Sequence, residues 1–493
     1  MTGEHLPILQ VVVPLLAAPV CLLLMRGTLA WLVATGVTWY ALYVALALLD
    51  GVSPDAPVRY ALGGWMAPWG IEYVVDRLGA YVLVIVAAIG ALVTTFARAS
   101  VAREIPAGQH AAFYAALLLC FAGLLGIVIT GDAFNLFVFL EISSLSSYAL
   151  ISLGRDRRAL TASYQYLIMG TLGATFILIG VGLLYMLTGT LNMLDLASRL
   201  PEIGPENRTL IAAAAFLVVG ICLKIALFPL HLWLPNAYAY APSVVTAFLA
   251  GTATKVAVYV LLRFLYTVFG YDAPLNTWVG TLLIALALAG VLVASTVAIF
   301  QDDTKRMFAY SSVAQIGYIV LGIGFASATG LTAALVHLFN HAVMKAVLFL
   351  ALGAVVYRVG GARLSDLRGL GHAMPLTMAA LVVGGLSLIG VPLTAGFISK
   401  WYLVLAALEA GWWPVAVLVL FGSLLAVIYV WRVVETTYMQ PRPEGAVTVS
   451  EAPWHLLLPI WVLVAANIWF GIDTDLTVGV AGGIASDLLG SAR

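Results

Sequence analysis

The sequence predicts an all-α polytopic membrane protein of about fourteen transmembrane helices, and three observations carry that expectation. Of the 493 residues, 63% are hydrophobic and only 9% are charged, where a soluble globular chain carries about 25% charged residues. The apolar residues fall into runs long enough to cross a bilayer, which needs about 20 residues per helix. The basic residues segregate to alternate connections between those runs. Zero net charge gives no bulk electrostatic reason to bind nucleic acid.

The runs lie at 6–25, 28–49, 77–97, 111–130, 132–153, 160–187, 209–229, 243–269, 276–300, 306–326, 330–357, 373–391, 411–434 and 454–472. Residues 1–5 are short and not basic, so the first run reads as a retained helix rather than a cleaved leader. Forty-six glycines and thirteen tryptophans suit close helix packing and aromatic anchoring at the interfaces. Cys21, Cys120 and Cys222 lie far apart in apolar runs, as small hydrophobes do, and offer neither a disulfide framework nor a metal motif. No cofactor and no metal site are expected.

With the N-terminus outside, the odd-numbered connections are cytoplasmic and hold thirteen basic residues, among them Arg155, Arg157, Arg158, Lys305 and Arg306. The opposite side holds Arg59, Arg77, Arg199, Arg208 and Arg263. That bias places both termini outside, as an even number of spans requires.

Two segments are broken. One runs from Phe228-Pro229 through Pro235 towards Pro242; the other is Gly390-Val391-Pro392-Leu393-Thr394-Ala395-Gly396. Proline removes a backbone donor and glycine loosens a helix. Such backbone survives at membrane depth only inside protein or beside a hydrated cavity. A pair of interrupted segments in the two halves of a chain points to binding or ion sites in an inverted repeat.

Five charged residues lie within or beside spans. Each costs at least about 2.5–3.5 kcal/mol near the bilayer centre unless paired or hydrated, so function is the default reading. Glu141 is followed by Ser143, Ser144, Ser146 and Ser147, hydroxyls able to bond it or to hold water, and by Tyr148. Lys224 precedes the first break, and it forms with Glu141 a candidate switchable pair; the bland alternative is a structural ion pair. Lys255 lies too deep to snorkel. His337, His341 and Lys345 recur every four residues, on one helix face over about 12 Å of rise. Imidazole exchanges protons near neutral pH, so this row resembles a proton wire. A metal site at this spacing is rejected, because lysine is a poor ligand and no acid lies on the helix. Lys400 follows the second break, as an ion outlet or as a boundary lysine reaching for headgroups. His231, in the first break, either bridges the two halves of the path or caps a helix end. No residue is assigned a catalytic role.

These stretches resemble the antiporter-like membrane subunits shared by Mrp-type Na+/H+ antiporters and respiratory complex I. The resemblance rests on Gly131-Asp132 through Glu141, Leu223-Lys224 through Pro235, Lys305 through Ser312, His337 through Lys345, and Gly390 through Lys400. It implies two inverted five-helix repeats, each with a discontinuous helix, at 111–269 and 270–434. N-terminal helices (1–110) precede them, and a loop and last helix (435–493) follow. It implies that Glu141 and Lys224 form the first-half pair, that Lys255 and the histidine row join the halves, and that Lys400 ends the path. It further implies a bacterial cytoplasmic membrane and a larger assembly of membrane subunits that handles protons and, in antiporters, Na+, with any redox chemistry on other subunits. The short tail argues against the largest family members and Lys400 against the variant ending in glutamate, and the tyrosine-rich stretch 235–242 and the Glu141 region look closer to the Mrp D-type subunit. A proton-pumping subunit of complex I or of a membrane-bound hydrogenase is the alternative.

Overall fold

The computed structural model describes residues 3–53, 56–270, 274–445 and 448–490. Its helices are α1 (Leu6–Leu24), α2 (Gly27–Gly51), α3 (Arg77–Glu104), α4 (His110–Ile129), α5 (Ala133–Ser152), α6 (Arg158–Thr188) and α7 (Met193–Ile203). They continue with α8 (Arg208–Ile225), α9 (Trp233–Tyr240), α10 (Ser243–Gly251), α11 (Ala253–Leu262), α12 (Pro274–Ile299), α13 (Thr304–Gly324) and α14 (Ala328–Val359). The last are α15 (Leu370–Ala373), α16 (Pro375–Ile389), α17 (Ala395–Glu409), α18 (Trp413–Val434), α19 (Trp454–Ile472) and α20 (Asp475–Gly490). A two-stranded hairpin, β1 (Val58–Ala61) with β2 (Glu72–Val75), pairs Val58 with Val75 between α2 and α3.

Among the described residues, thirteen helical segments are long and apolar enough to cross a membrane. The fourteenth crossing is split. The stretch 373–391 was expected to span alone, but α16 stops at Ile389 and α17 continues after a bend at 390–394. Gly390 ends α16 in the left-handed region (φ +89°), where a side chain would be strained and would also meet Lys400. The first break is as sharp. α8 stops at Ile225, because Ala226 turns left-handed and its N–H returns to Leu223 O at 3.2 Å. A third interruption was not foreseen: the span expected at 243–269 breaks at Thr252 into α10 and α11 and ends in a π-helical turn over Arg263–Val268. α20 was also not expected; Arg77 binds Asp487 at 2.5 Å and fastens it to the start of α3.

An internal repeat is visible in how α5 and α13 begin. Asp132 caps α5 by accepting from Asn135 N at 2.7 Å, and Asp303 caps α13 by accepting from Arg306 N at 2.9 Å. The next backbone N–H is bound in each case by a carbonyl 58 residues on (133 to 191, 304 to 362), at 2.8 and 2.9 Å. Each repeat contributes five crossings, the fourth being broken: α8/α9 in the first and α16/α17 in the second. An odd number of crossings forces the second repeat to start from the opposite face, so the repeats are inverted.

Packing grades from outside inwards. A third of the 18-residue apolar window in α2 is buried, compared with 94% in the α10–α11 span and 89% in α13. α18 and α19 leave Leu424, Trp431 and Trp469 exposed, side chains suited to lipid. The small residues of α6 and α8 interlock: a Cβ at Gly220 would lie 2.6 Å from Gly173 O, so the two backbones nearly touch. Lys255 therefore sits on the most enclosed span, and the histidine row on one that is 78% buried.

Candidate proton path

At the first break α8 delivers Lys224 to α5. The ammonium lies 3.7 Å from Glu141 Oε1 and donates to Ser144 Oγ at 2.8 Å. The Lys224 side chain is 6% exposed and that of Glu141 is 26% exposed, so the acid faces outwards from the pair. The neighbouring hydroxyls do not share this role: Ser143, Ser146 and Ser147 donate to carbonyls of their own helix. Ser143, Ser144, Ser147 and Lys224 instead line a cavity of about 30 Å³ that reaches Ala253, Val256 and Ala257 of α11. That is room for a water, and its wall is polar enough to hold one. Tyr148 packs edge-on against Tyr166, with ring centroids 4.7 Å apart, and its buried hydroxyl has no hydrogen-bond partner among the described residues. Tyr166 stacks on Trp233, whose indole donates to Leu223 O at 3.0 Å, the carbonyl at the break that also accepts from Ala226 N–H.

Lys255 is fully buried at the α10–α11 break. Its ammonium bonds Ala250 O, within the last turn of α10, with Thr254 Oγ1 at 3.4 Å. The break thus explains how a lysine is held in the centre of the protein without a carboxylate. The signal in the sequence was the run Ala250-Gly251-Thr252-Ala253-Thr254, small residues and threonines with little helix-holding bulk.

The row on α14 is wholly enclosed. The rings of His337 and His341 lie 6.2 Å apart and 8° from parallel, and both side chains are fully buried with that of Lys345. Lys345 donates to Ser311 Oγ at 2.5 Å and Phe308 O at 2.9 Å, binding α14 to the conspicuous Lys305–Ser312 stretch of α13. Neither His341 nitrogen has a hydrogen-bond partner among the described residues. An imidazole left so is costly as a packing element, and both of its nitrogens are open to exchange a proton. His341 lies within electrostatic range of Lys255 and Lys345, and His337 within range of Lys400 as well. His337 Nδ1 contacts Ser399 Oγ at 2.7 Å, one residue before Lys400.

Lys400 does not reach for headgroups. It is 6% exposed and folds back onto the end of α16, donating to Leu388 O at 2.9 Å, Ile389 O at 2.8 Å and Ser423 Oγ at 2.9 Å. Cation and helix C-terminus attract, so the lysine both caps the broken helix and is held by it. The His231 ring packs between Phe228 of the first break and Tyr310 of α13, at 5.3 and 6.3 Å, with Nδ1 unpartnered among the described residues.

Superposing the repeats by the shift that carries Asp132 onto Asp303 explains the asymmetry. Tyr166, Gly170 and Ala174 of α6 stand where α14 has His337, His341 and Lys345, and Ser312 of α13 stands where α5 has Glu141. The first repeat holds the acid and the second holds the imidazoles. Among the described residues no carboxylate lies within 4.0 Å of Lys255, Lys345 or Lys400.

Two sequence expectations need correction. Lys305 and Arg263 were counted as surface charges that orient the chain, but they are 5% and 7% exposed. Arg263 binds Asp76, and Lys305 donates to Ala241 O at 3.2 Å. The missed signal was simple: the chain has five lysines, 224, 255, 305, 345 and 400, and every one is buried. Arginine takes all the surface work, whereas lysine, which unlike arginine gives up its proton when its surroundings demand it, is kept for the interior.

Residues 130–426 match the family described as NADH:quinone oxidoreductase/Mrp antiporter, transmembrane. The chain is 44% identical over 487 residues to the N-type subunit of the NADH-quinone oxidoreductase of Desulforudis audaxviator (strain MP104C), covering 96% of each. It is 31% identical to the D-type subunit of the Na(+)/H(+) antiporter of Alkalihalophilus pseudofirmus (strain ATCC BAA-2126 / JCM 17055 / OF4), covering 88% of this chain and 87% of that one. Its fold is similar to a chain in the solved Mrp complex from Dietzia sp. DQ12-45-1b, with a TM-score of 0.91, 28% identity and coverage of 99% and 98%.

Proposed function

Because this chain belongs to the NADH:quinone oxidoreductase/Mrp antiporter transmembrane family, we propose that it is the proton-translocating subunit of a multisubunit monovalent cation/proton antiporter. One observation carries the reading: exchangeable groups follow one another from the half-buried Glu141 and the buried Lys224, past the small polar cavity, to Lys255, His341, His337 and Lys400. A scaffold has no use for such a series, and each member costs stability where it stands.

In this mechanism Glu141 and Lys224 separate and re-form as the first broken helix shifts. Separation frees Lys224 to hand a proton through the cavity between Ser144 and α11 towards Lys255. The imidazoles of His341 and His337 carry it to Ser399 and Lys400, where the second broken helix opens the far side. Lys345, held against α13 through Ser311, belongs to the same row and exchanges its proton with His341. Both termini lie on the outer side of a bacterial cytoplasmic membrane, with the arginine-rich connections inside. Other membrane subunits complete the assembly and supply the coupled movement of Na+. A second reading, a proton-pumping subunit of a quinone-reducing complex, is favoured by the 44% identity to the N-type relative; the same residues would serve it. Reconstitution of the complete complex decides between them: proton flux driven by a Na+ gradient supports the antiporter, and flux that requires electron transfer supports the pump.

A further inference from the structure

Among the buried groups that the proposed path leaves unused are an acid and a lysine at the arginine-rich face. Glu104 is the last residue of α3 and is 8% exposed, between an exposed Arg103 and an exposed Pro106 one residue further on. It lies one layer beneath the surface. Oε1 accepts from Ser100 Oγ at 2.7 Å, and Oε2 accepts from the N–H and Oγ of Ser243 at 3.0 Å each. Lys305 lies within electrostatic range of it and is held on Ala241 O, two residues before Ser243. From Ser243, α10 climbs about 10 Å to Ala250, whose carbonyl holds Lys255. Beside this climb stands Tyr238, 1% exposed, whose buried hydroxyl lies by Thr254, the neighbour of Lys255.

We propose that Glu104 and Lys305 form the uptake station that supplies Lys255 with protons from the arginine-rich face, with the Tyr238 hydroxyl between them. This rests on the reading of Lys255 as part of the path. The Glu104 carboxyl releases its proton towards Tyr238, whose hydroxyl passes one on to the neutral amine of Lys255. The carboxylate left behind is stabilised by the Lys305 ammonium and the Ser243 donors until it is reprotonated from the aqueous phase. A purely structural cap on Ser243 would not need the buried lysine beside it.

The test uses the whole complex in vesicles, with Glu104→Gln, Lys305→Met, Tyr238→Phe and, as reference, Lys224→Met. Glutamine keeps an acceptor for Ser243 but cannot carry the proton. Proton flux is expected to fall about 100-fold in Glu104→Gln, the low end of what a positioned proton carrier contributes. Lys305→Met should fall in the same direction. Tyr238→Phe should be slowed with an increased solvent deuterium isotope effect, because uptake then limits turnover; loss of packing alone would leave that ratio unchanged. Wild-type flux in Glu104→Gln beside an inactive Lys224→Met overturns the uptake station and leaves the path standing. Full flux in Lys224→Met overturns the path itself. If Glu104→Gln fails to assemble, the isotope effect in Tyr238→Phe decides: an unchanged value refutes the proposal.

Discussion

Neutralising Glu141 is the perturbation whose size follows most directly from the structure. Glutamine has nearly the same shape, so Glu141→Gln keeps the packing of α5 and an oxygen facing Lys224. At 3.7 Å the pair's attraction is worth about 4 kcal/mol in a medium of effective dielectric near 20. The 26% exposure of the glutamate reduces that figure. Even half of it is roughly 2 kcal/mol, more than tenfold in the balance between the closed pair and the separated one. Lys224 keeps only its bond to Ser144, and the step that depends on its partner's charge is removed. Flux should therefore fall by at least tenfold while the complex still assembles. The assay is proton movement in reconstituted vesicles, read by a pH-sensitive dye, with assembly checked by native gel on the same preparation. Wild-type flux from a fully assembled Glu141→Gln complex would refute the switchable pair and reduce it to a structural tie.

Two further perturbations test the second break and the helix packing. Ser399→Ala removes the contact to His337 Nδ1 without touching either charge, so flux should drop while Lys400→Met drops it further; equal flux in Ser399→Ala and wild type would show that the row does not pass through Ser399. Gly220→Val forces a side chain into the 2.6 Å approach to Gly173 O, an overpacking cost of about 1–3 kcal/mol or more, and should lower the amount of assembled protein, measured by fluorescence-detected size-exclusion chromatography.

Much of this was readable from sequence because the bilayer makes charge conspicuous. Glu141, Lys224, Lys255, Lys345 and Lys400 stand out in apolar runs, and spacing by four is enough to put His337, His341 and Lys345 on one face. The first break was marked by prolines, and the second by proline with glycines. What stayed hidden depends on tertiary placement. The Thr252 break has no proline to announce it, and the bond from Lys255 to Ala250 O across it joins groups that only the folded chain brings together. Lys305 and Arg263 sit at span ends, where burial is decided by which loop docks over them, so position along the chain alone makes them look like surface charges. α17 was missed because Lys400 and Glu409 interrupt the apolar run, although the helix is held by the backbone on both sides of the bend.

The most direct test of the account is proton flux through the complete, reconstituted complex carrying Lys345→Met. Methionine fills the lysine's space in the fully buried centre, removes its charge and proton, and gives up the bonds to Ser311 and Phe308. The account predicts an assembled complex whose first half still loads protons and whose transmembrane flux is lost. Undiminished flux would contradict it, and would make the histidine row a feature of packing alone.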